Sequence, residues 1–155
     1  MNSPRSLANQ KLYHARIVAD GWRDALKAEQ VPALILGQAF EPAARAHLRQ
    51  SYGWFLLDFI QIKPLPDTPP ESCDALPAVA PGKAFPGELR ELQRLEKDGW
   101  LSEMLAAGPV SQQTASSASN LAVSMPQLSS PDQIDQWITL LQGTFDRLAE
   151  FIDEY

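Results

Sequence analysis

Two histidines, His14 and His47, are the only imidazoles in this chain of 155 residues. Imidazole is the side chain best suited to metal ligation and to proton transfer near neutral pH. Each falls beside an apolar stripe of a different expected helix, so the two can face one another across a bundle. With Tyr13 and Trp54 they make the one candidate ligand pocket of the sequence, between the first two helices. A di-metal helical bundle takes Glu-x-x-His pairs, and here position 11 is Lys and position 44 is Ala. No metal or other cofactor is therefore expected, and the expectation for each histidine is a partly buried, hydrogen-bonded ring. His47, Trp54 and Asp58 share one helix face, but His47 and Asp58 lie about 16 Å apart along the axis, too far for an acid–base dyad.

Nucleophilic chemistry is poorer still. Cys73 has Glu71 and Asp74 for neighbours, and acids raise a thiol pKa and lower its reactivity. The serines of residues 111–120 have no Gly-x-Ser-x-Gly context. Neither Lys97-Asp98-Gly99 nor Pro81-Gly82-Lys83 has the glycine spacing of a phosphate loop. No catalytic residue is assigned, and the reading leans away from an enzyme.

The elements that position these residues are helical. Ser130-Pro131-Asp132-Gln133 is a helix start: Ser at the cap, Pro at the first helical position, Gln three residues on. Behind it Ile134, Ile138, Leu141, Phe145, Leu148, Ile152 and Tyr155 recur at alternating steps of four and three, which puts them on one stripe. A first helix is expected over Ser6–Glu29 on Ala8, Leu12, Ala15, Ala19, Trp22 and Leu26. Gly21 inside it suggests packing that needs a missing side chain. A second helix, Pro32–Ile62, carries Phe40, Ala44, Leu48, Tyr52, Phe55, Phe59 and Ile62. Pro42 predicts a kink or short break near Gln38–Phe40. A third helical region follows over Pro86–Ala107, with a possible interruption at Asp98-Gly99.

Seven of the thirteen prolines fall in residues 64–86, so that segment reads as an extended crossover. Residues 109–129 read as a polar connector of small side chains. The fold class expected is all-α: a single domain over residues 1–155, a four-helix bundle with a long proline-rich crossover between helices 2 and 3.

Charge is unevenly placed within a net −6: residues 1–63 hold eight Lys/Arg against five Asp/Glu, and residues 64–155 five against fourteen. An acidic whole argues against nucleic-acid binding, where Lys and Arg supply the affinity. Arg23 and Lys27 follow Asp20 and Asp24 by three, the spacing of a self-paired solvated face. Glu150, Asp153 and Glu154 are expected beside Arg5 and Lys11 if the helices run up-down-up-down. No apolar run reaches the roughly 20 residues of a membrane span, no secretory signal is read at the start, and Cys73 alone allows no internal disulfide. The expected location is a reducing cytoplasm.

At Asn9-Gln10-Lys11-Leu12-Tyr13-His14-Ala15-Arg16 and Trp22-Arg23, continuing through His47-Leu48, Gly99-Trp100-Leu101 and the last amphipathic helix, the chain resembles a family of small uncharacterised gammaproteobacterial helical proteins. The resemblance implies a cytoplasmic helical protein, covers most of the chain and carries no established activity or site residue. The proline-rich crossover is the part least expected in relatives. On these grounds the function expected is a small noncatalytic interaction or adaptor bundle, binding a protein partner or itself, through surplus apolar surface that includes Ile17, Val18 and Trp54. The alternative is a ligand-binding or enzymatic bundle using the Tyr13, His14, His47 and Trp54 pocket.

Overall fold

Two helices begin by the same device, a serine followed by proline. Ser3 Oγ accepts the Ser6 N–H at 3.0 Å and Ser130 Oγ accepts the Gln133 N–H at 3.3 Å, each covering a donor that the first turn leaves open. The structure is a computed structural model that describes residues 3–60, 66–73, 87–106 and 130–153. Among them are α1 (Pro4–Ala28), α2 (Ala33–Ile60), α3 (Gly87–Asp98), α4 (Trp100–Leu105) and α5 (Pro131–Asp153), with no strand. The fold is all-α. The first helix starts two residues before the expected Ser6, because the Ser3 cap supplies a turn that hydrophobic spacing does not reveal. It stops at Glu29, whose φ of 54° places it in the left-handed region.

Cross-helix contacts give the directions. Arg5 meets Asp58, Ser51 Oγ donates to the Ala8 carbonyl at 2.7 Å, His14 meets His47 and Trp22 meets Phe40, so α1 and α2 are antiparallel. Arg23 reaches Asp132 and Asp135 at the start of α5, so α5 also opposes α1. Phe145 stacks on Phe55 at 4.2 Å and Trp137 lies by Arg45, which sets α5 parallel to α2. Glu96 of α3 bonds Tyr52, and the end of α4 meets Arg45 and Arg49. The third rod thus runs against α2. It is two helices rather than the single one of a four-helix count, and Gly99 is the reason. Its N–H still bonds the Leu95 carbonyl at 2.9 Å, but a Cβ there would sit 2.6 Å from Leu95 Cδ2 and 3.0 Å from its Cα.

The expected stripes face inward. Ala8, Leu12, Ala15, Ala19 and Trp22 of α1 are buried, as are Ile134, Ile138, Leu141, Phe145 and Leu148 of α5. Ile152 and Tyr155 lie outside the residues whose side chains are described. α2 is buried without a gap from Ser51 to Asp58, which makes its second half the central rod. Trp54 is 7% exposed and belongs to the core, not to a surplus surface. Pro42 produces no break: α2 runs unbroken through it. Its ring faces solvent, so the helix loses one donor to the Gln38 carbonyl, which water can replace.

Gly21 needs no missing side chain either. A Cβ there would meet Phe40 Cε1 at 3.7 Å, an ordinary contact, and at Gly143 it would meet nothing within 4 Å. Both lie within helices, where Ala is favoured over Gly by up to about 1 kcal/mol. Gly21→Ala and Gly143→Ala are each expected to raise stability by about 0.5–1 kcal/mol in urea unfolding; a loss at either position would mean the space is not there.

Of the crossover, residues 66–73 are described and contain no α-helix. Pro69 and Pro70 lie directly on Gly53 of α2, and Cys73 is buried behind them. The remainder of the crossover and the 109–129 connector lie outside the described residues. So do the side chains of Asp153 and Glu154, expected near Arg5. Arg5 Nε donates to Asp58 at 3.1 Å. Among the described residues no helix is long and apolar enough to cross a membrane.

Candidate functional site

His14 and His47 come together. Their ring centroids are 5.2 Å apart and the planes stand at 70°, edge to face, across the α1–α2 seam. Both rings are half-buried. The hydrogen-bonded histidine that the sequence suggests is not what His47 shows, since its Nδ1 is buried with no hydrogen-bond partner. Helix spacing brings the ring to this point but sets no acceptor against Nδ1. Burial lowers the His47 pKa, and the positive charges of Lys11 and of His14 lower it further.

That shift predicts a pH dependence. Above the ordinary histidine pKa of about 6.5 the ring is neutral in folded and unfolded chains alike. As pH falls below that value the unfolded chain takes up a proton that folded His47 resists, so stability falls down to the lower folded pKa and then levels. His47→Gln is expected to flatten this part of the stability profile, the fall that begins below about pH 6.5. An unchanged slope in that variant would assign the effect elsewhere.

The other two sequence candidates stand apart from the pair. Tyr13 is 62% exposed and Trp54 is packed into the core two turns beyond His47. Among the described residues no group of three His, Cys, Asp or Glu is disposed to hold a metal.

Apolar side chains are exposed beside the seam, alongside the polar Gln10 and Asp24. On α1, Tyr13, Ile17 and Gly21 recur every four residues and are exposed; on α2, Ile35, Ala39, Pro42 and Ala46, with Ala43, are exposed as well. Ile17 and Ile35 each expose 51% of their surface. Because α1 and α2 are antiparallel and both turn their buried stripes to α5 and the core, these rows lie on one outer side of the hairpin. On this side α2 presents small side chains and α1 the larger Tyr13 and Ile17. Val18, expected on this surface, is half-buried against the core.

Two polar clusters inside the bundle escape a reading based on stripes. Glu41 and Arg45 form an ion pair at 2.9 Å with side chains 5% and 12% exposed. Arg45 Nη1 also donates to the Glu103 and Ala106 carbonyls at the end of α4, and its guanidinium lies 4.9 Å from the Trp137 ring centre. Further along α2, Tyr52 Oη donates to Glu96 Oε2 at 2.6 Å, and the Cys73 N–H donates to the same carboxylate at 3.1 Å. Burial pushes the Tyr52 pKa strongly upward, and the nearby Cys73 and Glu96 add to it, so the phenol stays a donor. The i,i+4 spacing of Glu41 and Arg45 was the available signal for the first cluster. The second joins three distant segments and has none.

A family model described as a family of unknown function (DUF6586) matches residues 1–155. The chain belongs to that family. Nothing among curated proteins and no solved structure matches it. Family membership agrees with the resemblance read from the sequence and brings no activity to these residues. The buried clusters tie the helices together, while the α1–α2 side and its histidine pair face outward.

Proposed function

We propose that this protein is a noncatalytic interaction bundle that docks through the outer side of the α1–α2 hairpin, first of all to a second copy of itself. The observation that carries the reading is the contiguous exposure of Tyr13, Ile17, Ile35, Ala39, Pro42, Ala43 and Ala46. Monomers rarely leave large contiguous apolar faces in water. Large side chains on one helix beside small ones on the other suit self-association, since a two-fold axis can set Tyr13 and Ile17 of each copy against the alanines of the other. A single cysteine and the resemblance to gammaproteobacterial proteins support a bacterial, cytoplasmic setting. Nucleic acid is a poor partner for an acidic chain whose Arg23 is held by Asp20, Asp132 and Asp135.

Light scattering over a concentration series is the test. The wild type is expected to dimerise, and Ile17→Glu and Ala43→Glu to remain monomeric with unchanged helix content. A wild type that stays monomeric at the highest concentration overturns the reading, as does a dimer that survives both substitutions.

A further inference from the structure

We propose that His14 and His47 form a two-imidazole clamp for a divalent transition-metal ion, zinc in the first instance, bridging α1 and α2. It stands apart from the docking reading, because both ligands come from one chain. Two imidazoles bound to one tetrahedral zinc through nitrogens at about 2.0–2.1 Å have ring centres about 5 Å apart. The observed separation is 5.2 Å. Imidazole χ2 is a soft torsion, so turning the rings in place can aim a nitrogen of each at a shared point with little backbone movement.

Chemistry at the seam agrees with the distance. His47 is half-buried at the seam. Its Nδ1 is buried without a hydrogen bond, so no protein acceptor fixes the tautomer or holds the ring away from a metal. Such an orphan atom is unusual in a folded protein, and metal binding would give the ring the polar contact it lacks. Gln10, four residues before His14, and Gln50, three after His47, lie on the same helix faces and are placed to hydrogen-bond metal-bound water.

With no third His, Cys, Asp or Glu in reach among the described residues, water must fill the remaining positions. The site is therefore an open, exchangeable one, unlike a closed structural zinc site. Imidazole ligands suit copper and nickel too, and copper should bind more tightly. A bound ion would pin the two helices of the hairpin at mid-length, and stabilise the fold by an amount that grows with the logarithm of its free concentration above Kd.

The test is titration of zinc chloride into the EDTA-treated, desalted full chain, read by calorimetry and thermal melting. We expect one saturable site, a rise in Tm that EDTA reverses, and affinity at least tenfold weaker in His14→Ala and in His47→Ala. Half-buried His47 has a core-facing edge, so His14→Gln carries the test if His47→Ala unfolds. Cys73→Ser must keep the full zinc response. The proposal is overturned by an absent or unsaturable response in the wild type, by a response that survives substitution of His14, or by one that disappears with Cys73.

Discussion

Arg45→Ala is expected to destabilise the protein by about 3–5 kcal/mol, the largest effect of any single substitution considered, because it takes the guanidinium away from a buried carboxylate and from the end of α4. Glu41 and Arg45 are a turn apart on α2, and their side chains are 5% and 12% exposed. A surface pair of the same spacing would contribute only about 0.3–0.5 kcal/mol. Burial changes the balance, since each charge has already lost most of its hydration. The guanidinium has further duties, bonding the Glu103 carbonyl at 2.9 Å and the Ala106 carbonyl at 3.3 Å and lying against Trp137. Arg45 therefore holds α4 and α5 to α2 as well as neutralising Glu41. Total stabilities are about 5–15 kcal/mol, so the variant should be near the edge of folding. The comparison that decides the cause is Glu41→Leu with Arg45→Met. Replacing both charges by apolar groups removes the buried carboxylate together with its partner, and the double variant should recover most of the loss. Urea midpoints of the single and double variants measure this directly; a double variant as unstable as Arg45→Ala would show that the α4 carbonyl contacts, not the buried charge, carry the cost.

The bundle was legible in the sequence because its information is periodic. Ile134 to Leu148 and Ala8 to Trp22 are each set by a spacing that any inward-facing helix must show, and all are buried. The serine–proline start was equally readable, and Ser3-Pro4 repeats the device of Ser130-Pro131. Pro42 and Gly21 were less legible, since a helix breaker acts only where its ring or missing side chain is crowded: the Pro42 ring faces solvent, and a Cβ at Gly21 would make only an ordinary contact. The meeting of His14 and His47 was only half readable: stripes place both near a seam, but the antiparallel register that matches them is a property of the pair of helices. Tyr13 and Trp54 show the limit from the other side. Neighbours in sequence or one helix face are not neighbours around a ligand, and one is exposed while the other is core. Tyr52, Cys73 and Glu96 could not be found at all, because the proline-rich segment that joins them follows no period.

Gly53→Ala should do the opposite of Gly21→Ala, and by more. A Cβ at Gly53 would lie 2.2 Å from the Pro70 carbonyl oxygen and 2.8 Å from Pro69 Cβ. Neither is the end of a flexible side chain, so the strap of residues 66–73 must move off α2. Helix propensity works against that outcome, because Ala in place of Gly favours the helix by about 1 kcal/mol. Overpacking a closed contact costs about 1–3 kcal/mol and sometimes more, so the net expectation is a loss of about 1–2 kcal/mol. Gly37 supplies the control within the same helix, since its Cβ would meet only Trp22 Cζ2 at 3.7 Å. Gly37→Ala should therefore be neutral or stabilising while Gly53→Ala destabilises, with the same change of residue. The displaced strap carries a reporter of its own. Cys73 is 4% exposed, with its N–H held by Glu96 and its sulfur 3.6 Å from Tyr52 Oη. Lifting Pro69 and Pro70 loosens that anchorage, and the Cys73 thiol should react with a soluble disulfide reagent at least tenfold faster in native buffer. Faster labelling at a nearly unchanged urea midpoint would mean that the strap undocks locally while the bundle survives. An unchanged labelling rate together with an unchanged midpoint would show that the crossover does not rest on Gly53.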